Sequence, residues 1–396
     1  MKLSQRISSV GASATLAVTN RARQLKAAGV DVVSFGAGEP DFDTPQFIKD
    51  AAKTALDAGD TKYVPRTAEQ LKAAIAAKLQ KENGIAVQPS QVVVTFGGKH
   101  ALYDACMALI NPGDKVLIPS PYWVSYPEMV KLAGGVPVFL PAAPEDDFKI
   151  TPRQVLDGAA GGAKILIINS PSNPTSVTYT PAELKAIARA VLDTDLIVFS
   201  DEIYEKLIYG DTKFISFASL DPALTERTIT FNGLSKTYSM TGWRLGWAAG
   251  PKDAIDAMKR LMSHETTDPV SFAVAGALAA YTSPHAPQAI EAMRKEFARR
   301  AEHMHERLNA IKGVRCARPT GAFYCFPDVS AHYGRTIGCV EITGSLTFAR
   351  AMLETANVAL VPGDAFGEDR CVRLSFATSM EQIDEGLDRI AKALAD

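Results

Sequence analysis

The chain has 396 residues, more than one hydrophobic core ordinarily organises, so two domains are expected. Apolar residues make up 47% and charged residues 22%, a globular balance that excludes disordered and fibrous classes. A formal net charge of −2 leaves no basic surplus for nucleic acid or an anionic membrane surface, and no apolar run reaches the ~18 residues of a membrane span.

Residues 1–30 contain no Asp or Glu but hold Lys2, Arg6, Arg21, Arg23 and Lys26, a composition similar to a mitochondrial transit peptide. The stretch "TAEQLKAAIAAKLQKENG" predicts a helix with Leu71, Ile75 and Leu79 on one stripe, ending at Gly84. Seven strand-like runs follow, at 92–96, 115–119, 136–140, 164–169, 195–200, 228–232 and 245–250. They are continuously apolar rather than alternating, as expected of strands buried on both faces of a mostly parallel sheet. Helices between them have readable starts: Thr151-Pro152 with Gln154, and Thr180-Pro181 with Glu183, each spell a capping box.

From about residue 285 the texture changes. An amphipathic helix carries Ile290, Met293, Phe297, Met304, Leu308 and Ile311 and stops at Gly313. Short runs ("GAFYCF", "VALVPG", "CVRLSF") lead to a last helix with Ile383, Leu387, Ile390 and Leu394. The expected organisation is an N-terminal arm (1–45) that joins a smaller α+β domain (285–396), around a large α/β domain (46–284) with a mostly parallel seven-stranded sheet. Cys106, Cys316, Cys325, Cys339 and Cys371 have no C-x-x-C spacing and read as reduced thiols. His303 and His305, two apart on a helix, point apart, which argues against a metal site.

Open α/β sheets bind ligands beyond the carboxyl ends of their strands. Five such ends carry distinctive chemistry: "GGK" with Gly98 and Lys99, "SPYW" with Trp123, "SPSNPTS" with Asn173, "DEIY" with Asp201 and Tyr204, and "GLSK" with Ser235 and Lys236. Singly, each has a plain explanation: a surface lysine, an N-cap aspartate, a core tryptophan, a turn. Together they supply a stacking ring, helix-terminal amides for a phosphate, a buried acid for a ring nitrogen and a lysine for a Schiff base. That combination describes a pocket for pyridoxal 5′-phosphate.

The stretch "SKTYSMTGWRLGW" is similar to the Schiff-base signature of class I, fold-type I pyridoxal-phosphate aminotransferases, and the likeness runs from "GEPDFDTP" to "VRLSFA". The resemblance implies that Lys236 forms the Schiff base and shuttles the proton, and that Asp201 faces the pyridinium nitrogen. It implies that Tyr204 and Asn173 bond the phenolic oxygen while Trp123 stacks on the ring. The phosphate falls to the Gly98 and Lys99 amides, Ser235 and Arg244, with Tyr63 reaching it from the other subunit of a homodimer. Arg373 and the Gly38 amide take the substrate α-carboxylate. The likeness is strongest to the bacterial and plastid aspartate aminotransferase subgroup, some members of which transaminate prephenate. There, residues matching Lys99 and Thr15 bind the distal carboxylate. Because Thr15 lies within this match, the basic first segment is read as part of the working enzyme and the protein as cytoplasmic.

Two departures bear on substrate choice: Ser176 stands where relatives read glycine in "NPTG", and Arg66 follows "YVP" where relatives carry glycine. A nicotinamide dehydrogenase would need G-x-G-x-x-G after a strand, and "GAGEPD" breaks off after two glycines. A pyridoxal-phosphate-binding regulator would need an added DNA-binding domain. An aminotransferase for aromatic or small neutral amino acids, or a cysteine–sulfur lyase, would share Lys236, Asp201 and Arg373. The lyase would release ammonia and pyruvate without a keto acid.

Overall fold

A computed structural model describes residues 3–11 and 14–395. All seven expected runs are strands of one sheet. Their spatial order is Val92–Thr95, Gly246–Ala249, Thr228–Gly233, Ile197–Asp201, Ala163–Asn169, Lys115–Ser120 and Val136–Pro141. Only Gly246–Ala249 runs antiparallel to its neighbours; the other pairings are parallel.

The unbroken apolar runs follow from packing on both faces. Ile165 and Ile167 join Phe199 and Phe231 in one core cluster, while Leu166 and Ile168 join Val198 in another on the opposite face. Val136–Pro141 corrects the expectation of burial on both faces. It is one of the two edge strands, the one left partly exposed, with Phe139 44% exposed and stacked on Tyr122 at 4.9 Å between ring centroids.

Both capping boxes form. Gln154 Oε1 accepts the Thr151 N–H at 2.8 Å, and Glu183 Oε2 accepts the Thr180 N–H at 2.7 Å. The helix expected to run to Gly84 does stop there, at φ +70°, but its last turn, Leu79–Asn83, widens to a π turn. The wider turn brings Asn83 Oδ1 within 2.7 Å of Lys78 Nζ and Asn83 Nδ2 within 2.8 Å of Glu205 Oε2, joining a buried polar network.

In the C-terminal part, Val372–Ser375 is the central strand of three, between Val361–Pro362 and Tyr324–Cys325. Val33–Ser34 pairs in parallel with Val358–Ala359, and Phe35 packs with Phe297, Phe323 and Leu387. All five cysteines are free, and four are buried. No helix among the described residues is long and apolar enough to cross a membrane.

Candidate active site

The carboxyl ends of the parallel strands open onto a cleft of about 750 Å³. Gly38, Gly98, Lys99, Trp123, Asn173, Asp201, Tyr204, Ser235, Lys236, Arg244 and Arg373 all line it. Tyr63 does not; its side chain stands 82% exposed on the surface, beside Val64 at φ +57°. Thr15 falls in the first turn of the helix Ala14–Ala27, and its side chain lies outside the described residues.

Lys236 sits in a single helical turn, Leu234–Thr237, directly after the strand Thr228–Gly233. Its Nζ donates to the Gly38 carbonyl. Burial pulls the amine down from 10.5 to about 8; the Arg373, Arg244 and Lys99 charges add to this and Glu39 opposes it.

Asp201 ends its strand, fully inside the protein. Burial raises its carboxyl to about 6, held in check by the Tyr126 hydroxyl at 2.6 Å, the Ile203 N–H at 3.2 Å and the Lys236 charge. Tyr126 was not singled out in the sequence, where the nearby Trp123 was the conspicuous aromatic of "SPYWVSYP".

Arg373 is 2% exposed, yet among the described residues its guanidinium meets no carboxylate. Nη1 donates to Asn173 Oδ1 at 3.0 Å, Nη2 to the Gly36 carbonyl at 3.1 Å, and buried Nε has no partner. The Tyr324 ring, a second residue missed in the sequence, lies 4.4 Å from the guanidinium carbon. Asn173 is itself held by Asn169 Oδ1, which accepts its N–H at 2.9 Å. With Oδ1 committed to Arg373, the Asn173 Nδ2 remains as a donor.

The helix Gly98–Leu109 begins at the cleft, so its first amides lack intrahelical acceptors. Arg244 takes a left-handed backbone (φ +53°) and lays its guanidinium against Gly97. Its Nη1 donates to the Thr241 carbonyl at 2.8 Å. Gly97 has φ +91°, and a β-carbon there would stand 2.8 Å from Arg244 Nη2. Gly246 is required for a different reason: a β-carbon would meet the Gly98 nitrogen at 2.2 Å. Lys99 Nζ lies 4.9 Å from the Trp123 ring centroid, and burial with the nearby Arg244 charge lowers its basicity.

The donor set matches a phosphorylated pyridine aldehyde. Helix-terminal amides and Arg244 suit a phosphate, buried Asp201 suits a protonated ring nitrogen, and Lys236 is an amine with a neutral form within reach of ordinary pH.

Three potential metal ligands do meet elsewhere, at His100, Asp104 and Glu265. His100 Nδ1 accepts the Phe96 N–H at 3.2 Å, so Nε2 carries the proton and donates towards Glu265 Oε2 at 3.1 Å. The carboxylate oxygens of buried Asp104 have no hydrogen-bond partner among the described residues. His303, on the C-terminal helix, pairs with Asp384 at 2.6 Å.

Fold and cleft together define a cofactor-dependent α/β enzyme. The family model "Aminotransferase class I and II" matches residues 30–390, and the chain belongs to that family. It is 48% identical over 391 residues to the aspartate aminotransferase of Geobacillus stearothermophilus, with 98% of each chain covered. It is 47% identical over 391 residues to the aspartate/prephenate aminotransferase of Cereibacter sphaeroides, covering 98% of this chain and 97% of that one. Among solved structures, the Thermus thermophilus aspartate aminotransferase with maleate matches with a TM-score of 0.93, 42% identity and full coverage of both chains. The protein is a pyridoxal-phosphate-dependent aminotransferase that acts on amino acids and 2-oxo acids.

Proposed function

We propose that the enzyme transfers the amino group between L-aspartate, or another acidic amino acid, and a 2-oxo acid such as 2-oxoglutarate, with prephenate as a further acceptor. The observation that carries the reading is the buried Arg373 guanidinium, met among the described residues only by neutral groups and with Nε unpartnered. A desolvated cation of this kind needs an anion, and a substrate α-carboxylate supplies one in bidentate geometry. Lys99, which lines the cleft, is a second cation for a distal carboxylate, and the family resemblance assigns Thr15 to the same carboxylate. Two names favour acidic substrates: the relatives are called aspartate and aspartate/prephenate aminotransferases, and the Thermus thermophilus structure holds maleate, a dicarboxylate.

Pyridoxal phosphate, when bound, supplies an electron sink for the charge left when the substrate α-proton departs. The chain's own residues do the rest. Arg373 and the Gly38 amide orient the substrate by its α-carboxylate. Lys236 Nζ would move the α-proton; its lowered pKa brings the neutral amine within reach of ordinary pH. Asp201 would keep a proton on the cofactor's ring nitrogen. Asn173 Nδ2 and the Tyr204 hydroxyl would donate to the cofactor's phenolic oxygen, and Trp123 would stack on its ring. Gly98 and Lys99 amides, Ser235 and Arg244 hold the phosphate. Tyr63, exposed on its own chain, reaches the phosphate of a second copy, which makes the working form a homodimer.

A single half-reaction tests the substrate. Mixing the loaded enzyme with L-aspartate and no keto acid is expected to bleach the aldehyde-form absorbance and release one oxaloacetate per site. An unchanged spectrum would discard aspartate. Ammonia and pyruvate from cysteine would instead favour the lyase.

A further inference from the structure

Tyr324 is buried between two residues of the reaction. The Arg373 guanidinium carbon lies 4.4 Å from its ring centroid, and its hydroxyl lies 3.0 Å from that of Tyr204. What holds Tyr324 comes from a distant part of the chain. Ser176 is fully buried in the left-handed region at φ +58°. Its Oγ accepts the Tyr324 N–H at 2.9 Å, and its carbonyl accepts the Thr320 and Gly321 N–H groups at 2.9 and 3.0 Å. Its own N–H donates to the Ser172 carbonyl at 2.9 Å. One residue of the loop that carries Asn173 therefore anchors the segment that carries Tyr324. The circuit closes where Asn173 Oδ1 accepts Arg373 Nη1.

Glycine would adopt this backbone without strain but would leave the buried Tyr324 N–H with no acceptor. A serine accepts the steric penalty and supplies the oxygen. The proton order of the tyrosine pair then follows. For Tyr204 to donate to the cofactor's phenolic oxygen, Tyr324 must donate to Tyr204, and a hydroxyl that accepts while it donates is a stronger donor. The Arg373 charge over the Tyr324 ring counters the effect of burial on its hydroxyl, which favours Tyr324 as the donor.

We propose that Tyr324 is a positioning residue for amino transfer, fixing the plane of Arg373 and the direction of the Tyr204 proton, and that the Ser176 hydroxyl holds Tyr324 in place. The inference rests on the roles given above to Arg373 and Tyr204.

Two holoenzyme variants test it. Tyr324→Phe keeps the ring under Arg373 and removes the donor. The pH midpoint of the lysine-bound cofactor's visible absorption is expected to rise by about half a unit, with KM for L-aspartate little changed. Ser176→Gly folds freely at a left-handed position and removes only the anchor. KM for L-aspartate and for 2-oxoglutarate are expected to rise together, about fivefold, with a smaller change in kcat. A wild-type midpoint in the first variant and wild-type KM values in the second would overturn the proposal, as would a lowered melting temperature with neither readout moved. Wild-type enzyme that fails to react with L-aspartate would overturn the substrate assignment instead. The spectral midpoint needs no substrate and still decides the tyrosine pair.

Discussion

Replacing Lys236 by methionine in the cofactor-free enzyme is expected to stabilise it near neutral pH, and the gain should vanish in mild alkali. Burial, with three neighbouring cations, brings the Lys236 amine from 10.5 to about 8. That shift of ~2.5 units, at 1.36 kcal/mol per unit, means the protonated lysine destabilises the fold by ~3 kcal/mol below pH 8. Methionine also forfeits the hydrogen bond to the Gly38 carbonyl, about 1 kcal/mol, leaving a net gain of about 2 kcal/mol. The sign follows from proton counting. Between the folded value of about 8 and the unfolded 10.5, the unfolded chain binds the extra proton, so wild-type stability rises with pH through that window. The variant lacks this slope. Melting temperatures of the two cofactor-free proteins give the readout, at roughly 2 °C per kcal/mol for a chain of this size. The variant should lead by about 4 °C near pH 7 and draw level at about pH 10. A gap of the same size at both pH values would refute the assigned burial of the amine.

Gly97→Ala places a β-carbon 2.8 Å from Arg244 Nη2 at φ +91°, so Arg244 must move. Equilibrium titration with pyridoxal phosphate is expected to show affinity about tenfold weaker, and unchanged affinity would remove Arg244 from the phosphate site. Lys99→Ala is expected to raise KM for L-aspartate about tenfold or more while leaving L-alanine unaffected, since only the dicarboxylate uses the second cation. Equal effects on both amino acids in steady-state kinetics would exclude Lys99 from distal-carboxylate recognition.

The large sheet was legible because two-sided burial writes an apolar residue at every position, as in Ile165 to Ile168. The same signal misled at Val136–Pro141, since an apolar run does not reveal that a strand lies at an edge. Strand ends exposed the cleft because ligand chemistry clusters there: Gly98, Lys99, Trp123, Asn173, Asp201, Tyr204 and Lys236 all line it, whereas Gly38, Arg244 and Arg373, which line it too, were assigned through the family resemblance. Tyr126 and Tyr324 escaped because their meaning lies in partners far along the chain: Asp201 is 75 residues from Tyr126, and Tyr204 is 120 from Tyr324. No periodicity records such pairings. The role proposed for Tyr63 comes only from the family resemblance, since its side chain stands away from its own chain's cleft.

The cleft carries a charge imbalance that explains its dependence on ligands. Lys236, Arg244 and Arg373 meet carbonyl or amide oxygens, and Lys99 meets an aromatic face, so none of the four cations has an ion-pair partner among the described residues. Water compensates the more exposed Arg244 and Lys99, but Arg373 and Lys236 are largely cut off from it. In the proposed reaction a phosphate dianion and two substrate carboxylates would supply the missing negative charge at these positions, while Asp201 would take the cationic ring nitrogen. Binding energy therefore arises where the folded chain alone is electrostatically least satisfied, and ligand binding stabilises the fold in proportion to ligand concentration over Kd. The same imbalance keeps the Lys236 amine near 8, so the feature that weakens the cofactor-free fold also suits the base role proposed for this lysine.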